Sequence, residues 1–384
     1  MAFTQLTDFI GKVLPIIYSL VGFGLLIAVH ELGHFLFCKI FSIHTPTFSI
    51  GFGPELYKRK IGQTNFRIAV IPFGGYVEIA GLAEVGQGGQ EHADDTSAFS
   101  FTNKPFWQKA LVLLGGIMFN IMFAYFAFCT IFIAGNRSTQ PAVSVMSIVA
   151  GSAAEKAGLK EQDLIIGINE TILSTNPITL NEEISSVLLP QIQTNPNKII
   201  TLTIKRDQKE LTLPIALNSR KENGTTIGVI GAAFQPPSLP FWYSIKAGLD
   251  YTRKTIGIMY QSIKTLLTNR SLEGAAGPVM IIAQGAATAK HGFIPLLHFL
   301  GILSLSLALM NLLPIGALDG GQLLFTTIEF IIRRRIPEII KLIINLASWI
   351  FLLSLMAYFT YREIGALFGN TFNCWWIKIL GFFK

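Results

Sequence analysis

Two histidines four residues apart with a glutamate beside the first, His30-Glu31-Leu32-Gly33-His34, form an H-E-x-x-H pattern. On a helix, positions i and i+4 share one face, so both imidazoles can ligate a single Zn²⁺. Glu31, on the adjoining turn, can take a proton from water. A catalytic zinc that keeps one position open needs a third protein ligand. Asp319, His298, Glu329 and Glu363 are the candidates in apolar surroundings. Asp319 stands in Asn311-Leu-Leu-Pro314-Ile-Gly-Ala-Leu318-Asp319-Gly320-Gly321, where the proline and the glycines break a helix and can aim a carboxylate inward.

The surroundings of this motif are unusual for a zinc site. Of 384 residues, 51% are apolar and only 14% charged, which disfavours a purely soluble protein and excludes disorder over most of the chain. Four stretches are long enough to cross about 30 Å of hydrocarbon as helices, running approximately from Val13 to Phe37, Ala110 to Ala134, Leu296 to Leu313 with an extension beyond Pro314 that carries the third helix to residue 332, and Ile339 to Tyr361. The first resembles a signal peptide, with Lys12 before an apolar core, but that core is long and no small-residue cleavage site follows. His30, Glu31 and His34 therefore sit inside an apolar span, where each ionisable side chain costs a few kcal/mol and requires a functional reason.

The net charge is +7, from 30 basic and 23 acidic side chains. No basic stripe with interleaved aromatics accompanies it, so no nucleic-acid partner is expected; the clusters Lys58-Arg59-Lys60 and Arg333-Arg334-Arg335 flank apolar runs instead. Lys39, Lys104 and Lys109 between spans one and two, and Arg333 to Arg335 with Lys341 between spans three and four, mark both connections as cytoplasmic. Spans one and three then run in the same direction. His30 lies about 16 residues, or about 24 Å, into the first, and Asp319 about 22 residues past Leu296. By depth they can meet. His298 begins span three on the opposite side and Glu363 lies beyond span four, while Glu329 stays a second candidate without a helix break beside it. The three cysteines Cys38, Cys129 and Cys374 indicate neither a disulfide framework nor a Cys-zinc site, and leave the redox compartment open.

The HELGH motif in a first span, Asn311-Leu-Leu-Pro314 leading to Leu318-Asp319-Gly320-Gly321, and an intervening PDZ-like segment resemble the site-2 protease family, in its regulator-of-sigma-E protease branch. The resemblance extends from about residue 15 to 365 and includes Ser271-Leu-Glu-Gly-Ala-Ala-Gly277-Pro278. It implies intramembrane zinc proteolysis, with His30, His34 and Asp319 as ligands and Glu31 as base. It also implies substrate contacts at Asn311 and, from span two, Asn120. Gly115-Gly116 stands where the family commonly has Gly-Pro, and Ile315-Gly316-Ala317 replaces the usual second proline.

Between spans one and two, Thr47 to Pro54, Phe66 to Ile71 and Tyr76 to Ile79 read as strands. Phe66, Ile68 and Val70 alternate with Arg67 and Ala69, giving one apolar face. A substrate helix must be unwound before hydrolysis, and an exposed strand edge can hold the unwound segment by β-addition, which makes Phe66, Ile68 and Val70 substrate-binding candidates. The rival reading is a hairpin that only shields the site. Gly81 to Asp95, rich in Gly, Gln and acidic residues, reads as a solvated loop rather than a second metal site at His92.

From residue 136 to 237 the pattern becomes that of a small α/β domain. Ala142 to Ile148 and Asp163 to Asn169 read as strands, Ser152 to Ala157 as a short helix, Asn181 to Val187 as a second, and Ile199 to Ile204 with Leu211 to Leu213 as a hairpin. The run Ala157-Gly-Leu to Asp163-x-Ile-x-x-Ile-Asn169 is similar to the PDZ signature, with Glu170 in place of its usual Gly. Such a domain either holds a peptide or substrate terminus along a strand edge or excludes bulky proteins. Trp242 to Leu266 is an amphipathic helix rather than a fifth span, because five charges would be too costly in lipid. It lies on a surface or gates entry. Cys374-Trp-Trp to Lys384 suits an interfacial anchor.

The expected molecule is an α-helical polytopic membrane protein of about four transmembrane helices, with a membrane-associated β-hairpin region and one extracytoplasmic PDZ-like α/β insert. The expected activity is Zn²⁺-dependent cleavage of transmembrane segments of single-pass proteins in a bacterial inner membrane, such as an anti-sigma factor or a remnant signal peptide. A membrane PDZ adaptor and a zinc peptidase of loops or misfolded chains at the membrane surface are the rivals.

Overall fold

The computed structural model describes residues 2–82, 92, 95–135, 141–222, 225–269 and 276–368. Most of the Gly/Gln-rich loop, Ser271 to Ala275, and the tail with Cys374 lie outside the described residues. Four helices among those described are long and apolar enough to cross a membrane: Val13–Ile40, Phe106–Ala134, Phe293–Asn311 and Glu338–Gly365. Each falls within a few residues of its expected span, since a run of apolar residues is a local property that needs no tertiary partner to be read.

The chain divides into two compact units. The first comprises residues up to Ala124, Glu273–Lys290 and Phe299 onward. It opens with α1 (Ala2–Ile40), which leads into two long antiparallel strands, β1 (Thr47–Ile61) and β2 (Thr64–Val77). These fold back on themselves. Ser49 pairs with Arg67 on one side and Tyr76 on the other, and Ile50 with Ile68 and Gly75, while Tyr57 to Lys60 pair with Ile68 to Asn65. The segment Asn65 to Ile68 is thus paired on both sides, and the outer edges are the Glu55 side and Gly75–Val77. At the hairpin's root Phe48 and Val77 pack with Cys38 of α1 and with Val112 and Leu113 of α2 (Phe106–Ala134). The ring of Phe66 meets Phe35 at 5.5 Å, and Lys39 donates to Thr64.

Three further helices and a final span complete this unit. Helix α7 (Pro278–Lys290) was not foreseen, although Pro278 at its first position is a start signal. It packs on α1, where Ser19 donates to the Ile282 carbonyl. Glu363 of α10 (Glu338–Phe368) accepts the Gly277 and Met280 amides and so caps α7. Helix α8 (Phe293–Asn311) ends where the proline-containing segment begins, and α9 (Asp319–Ile332) starts at Asp319. The single helix expected over 296–332 is therefore two, the candidate span α8 and the shorter α9, joined by a tight turn in which Ile315 donates to Leu313 and Leu318 to Ile315.

The second unit, Tyr125–Leu272 with His291–His298, is built on the α/β insert. Its strands are β3 (Val143–Ile148), β4 (Leu164–Ile168), β5 (Thr171–Ile172), β6 (Ile199–Arg206), β7 (Lys209–Ala216) and β10 (Ala232–Gln235), and β8 (Asn218–Glu222) pairs with β9 (Thr225–Val229) separately. The larger sheet runs β10-β3-β4-β6-β7 with β5 beside β4, so β10 and β7 are its edges among the described residues. The helices are α3 (Ala153–Lys156), α4 (Pro177–Glu183), which continues through a π turn, and α5 (Leu189–Gln193). Ile165, Ile168, Leu202, Ile204 and Ile215 form the fully buried core. The positive φ of the β4–β5 turn falls on Asn169, at 52°, a residue type that tolerates it, so Glu170 needs no glycine-like freedom. Helix α6 (Phe241–Asn269) covers the expected amphipathic stretch and is not among the candidate spans.

Candidate metal centre

The two histidines project from one face of α1 because four residues make slightly more than one turn. That face is pressed against α2. Gly33 and Gly115 touch backbone to backbone, and a Cβ on Gly33 would overlap the Gly115 carbonyl. Beside this contact the rings of His30 and His34 stand edge to face at 4.8 Å. A Cβ on Gly116 would lie 2.5 Å from His30 Cε1 and from His34 Nε2, so α2 presents a groove without a side chain in which both rings sit.

Asp319 reaches the same point from the far end of the chain. Its Oδ2 is 3.1 Å from His30 Nε2 and 3.5 Å from His34 Nε2, and the two Nε2 atoms are 3.2 Å apart. Donors about 2.0–2.1 Å from a tetrahedral Zn²⁺ lie roughly 3.3 Å from one another. The observed triangle matches that spacing. Two neutral imidazoles and a carboxylate are also a suitable donor set for a hydrolytic zinc, and Asp319 Oδ2 is buried without a hydrogen-bond partner of its own. Asp319 opens α9, so its negative charge sits at the positive end of that helix. His34 Nδ1 lies 2.8 Å from the Val112 carbonyl, an acceptor that leaves Nε2 as the free donor atom.

The other third-ligand candidates lie elsewhere. Glu329 pairs with Lys341 at 2.6 Å and accepts the Ile336 amide. His298 is hydrogen-bonded to Tyr251 at 2.8 Å, and Glu363 caps α7. His30, His34 and Asp319 are the metal-competent group of three found among the described residues.

A cavity of about 250 Å³ opens on this triangle, with His30, Glu31, Asn120, Asn311 and Asp319 in its wall. The Val77 backbone at the end of β2 comes close to the Glu31 carboxylate, and a Cβ on Gly75 would come 3.5 Å from the Glu31 Cγ. The outer edge of the hairpin at Gly75–Val77 thus runs past the glutamate, and Phe52 also lines the cavity. Phe66, Ile68 and Val70 are not in that wall. Phe66 packs inward, Ile68 and Val70 are about half exposed, and Phe66 and Ile68 have strand partners on both sides. The apolar alternation located the strand but could not show which neighbour would occupy each edge.

Gln322, Asn345 and Trp349 complete the wall and were missed by the sequence reading. Gln322 donates to the Gly316 carbonyl and to Asn345, and Ser348 accepts the Gly316 amide. Their signal was available: an amide such as Asn345 in an apolar span is costly unless it has a partner.

Comparison with known proteins agrees with this chemistry. The family model described as Peptidase family M50 matches residues 18–355. Proteins bearing the name "Putative zinc metalloprotease" are 31% identical in Clostridium perfringens over 91% of this chain and 98% of the relative, and 31% identical in Clostridium acetobutylicum over 91% and 97%. A third, from Synechocystis, is 30% identical over 88% and 92%.

Proposed function

This chain belongs to peptidase family M50, the site-2 protease family of membrane zinc metalloproteases, and we propose that it cleaves transmembrane segments of single-pass membrane proteins within the bilayer. The observation that carries this reading is the His30–His34–Asp319 triangle, set on a candidate span and at the start of α9, below a cavity bordered by a strand edge.

In this reading His30, His34 and Asp319 hold the zinc. The ion, when bound, supplies Lewis acidity toward water and the scissile carbonyl. Glu31 accepts the water proton on its carboxylate and returns it to the leaving amine, beside the Val77 backbone. Asn311, at the end of α8 and in the cavity wall, offers an amide to the substrate backbone. The unwound substrate segment adds to Gly75–Val77 and so exchanges its helical hydrogen bonds for strand bonds beside Glu31.

The α/β insert is a PDZ-like module on the extracytoplasmic side of a bacterial inner membrane, with the Arg333–Arg335 connection on the cytoplasmic side. A cavity of about 490 Å³ between its edge strand, Ala232–Gln235, and α4, with Ile178 and Asn181 in its wall, supports capture of a peptide or substrate terminus.

The test is cleavage of a single-pass substrate in proteoliposomes, read by mass spectrometry together with zinc content. Glu31→Gln should retain zinc and lose cleavage, and His30→Ala and Asp319→Ala should lose both. Near wild-type cleavage by Glu31→Gln would overturn the mechanism, and cuts confined to loops would favour a surface peptidase.

A further inference from the structure

Asn120 is the one polar side chain of α2 in contact with the imidazoles among the described residues, and it is wholly buried, at 0% exposure. Its amide Nδ2 lies 3.2 Å from His30 Nδ1, and its Oδ1 has no hydrogen-bond partner. When His30 Nε2 gives its lone pair to a metal, Nδ1 carries the ring hydrogen and needs an acceptor. An amide keeps its shape when its two ends are exchanged, and only the oxygen end can accept that hydrogen. The unpartnered Oδ1 and the unpaired ring N–H then satisfy each other.

We propose that Asn120 is a positioning residue for His30, whose amide oxygen holds Nδ1–H and thereby aims Nε2 at the metal. This rests on the reading of His30 as a zinc ligand. Val112, Gly116 and Asn120 are spaced by four residues along one face of α2, which supplies in turn a carbonyl for His34, a gap for both rings and an amide for His30. Ser304 of α8 donates to the Asn120 carbonyl at 2.9 Å, which fixes this turn of α2 from behind. Asn120 borders the cavity as well, but the contact its amide makes is with His30, so its role runs through the metal ligand.

The experiment uses the full-length protein in detergent micelles. Zn²⁺ affinity is measured by competition with a chelator, the visible spectrum is recorded after Co²⁺ substitution, and KM is measured on a single-pass substrate. Asn120→Leu should weaken Zn²⁺ binding about 10–100-fold and shift the Co²⁺ bands, with KM unchanged. Asn120→Asp keeps an acceptor oxygen and should bind Zn²⁺ at least as tightly as wild type, with its own Co²⁺ band shift because a carboxylate makes His30 more basic. Wild-type affinity in Asn120→Leu, or a raised KM with unchanged affinity, overturns the proposal. Should Asn120→Leu fail to fold, the Asn120→Asp spectrum decides, and bands identical to wild type overturn it. Full zinc in His30→Ala sinks the metal reading itself, whereas zinc lost in His30→Ala but untouched in Asn120→Leu sinks only the role of Asn120.

Discussion

Asp319 Oδ2 stands 3.1 Å from His30 Nε2, although one residue opens α9 and the other lies deep in α1. Between them α2 contributes no side chain at position 116. Adding one methyl there tests how tightly the triangle is set. Gly116→Ala places a Cβ 2.5 Å from both rings, so the rings must move. Overpacking of this kind costs about 1–3 kcal/mol. We expect Zn²⁺ affinity to fall at least tenfold by chelator competition. Unchanged affinity would show that the rings have room that this geometry denies them.

The turn carrying Asp319 is tied to the last span. Gly316 donates its amide to Ser348 at 3.1 Å and accepts from Gln322 at 2.8 Å. A proline at 316 would have no N–H to give. The glycine amide instead ties the turn to α10 by a hydrogen bond. Ser348→Ala should lower the thermal midpoint by the loss of about 1 kcal/mol and reduce cleavage. An unaltered midpoint would assign the turn's rigidity to Pro314 and the glycines alone.

Substrate capture along the hairpin has a positional signature. Phe52 lines the cavity and Val70 does not. A single cysteine near the scissile bond of a substrate should crosslink to Phe52→Cys in an inactive Glu31→Gln background, and far less to Val70→Cys. Equal yields at both positions would leave the hairpin as a shield rather than a clamp.

The insert is held by a buried ion pair. Asp163, almost fully buried, accepts from Arg206 Nε at 2.7 Å and from a second guanidinium nitrogen at 2.6 Å. Neighbouring Asp163 holds the Arg206 pKa above its usual value. Arg206→Met leaves a buried carboxylate unpaired and should destabilise the insert by about 3 kcal/mol in urea unfolding. Asp163→Asn should cost less. The reverse order would place the stabilising role on the Lys160 amide, which donates to Asp163 at 2.8 Å, rather than on the ion pair.

Much of this molecule is a matter of local pattern. Apolar runs located the four candidate spans, the four-residue step from His30 to His34 defined a ligating face, and Pro314 with Gly320 and Gly321 marked the break that delivers Asp319. These readings succeed because span length and helical periodicity depend on neighbouring residues alone. Tertiary structure decided what depends on which surfaces meet. The Gly33–Gly115 contact selects the face of α2 that meets the histidines, and so turns Asn120 toward His30. The double pairing of Ser49 and Ile50 leaves Gly75–Val77, not Phe66 to Val70, as the edge beside Glu31. A hydrogen-bond partner or a strand neighbour distant in the chain has no trace in local periodicity; only packing determines it.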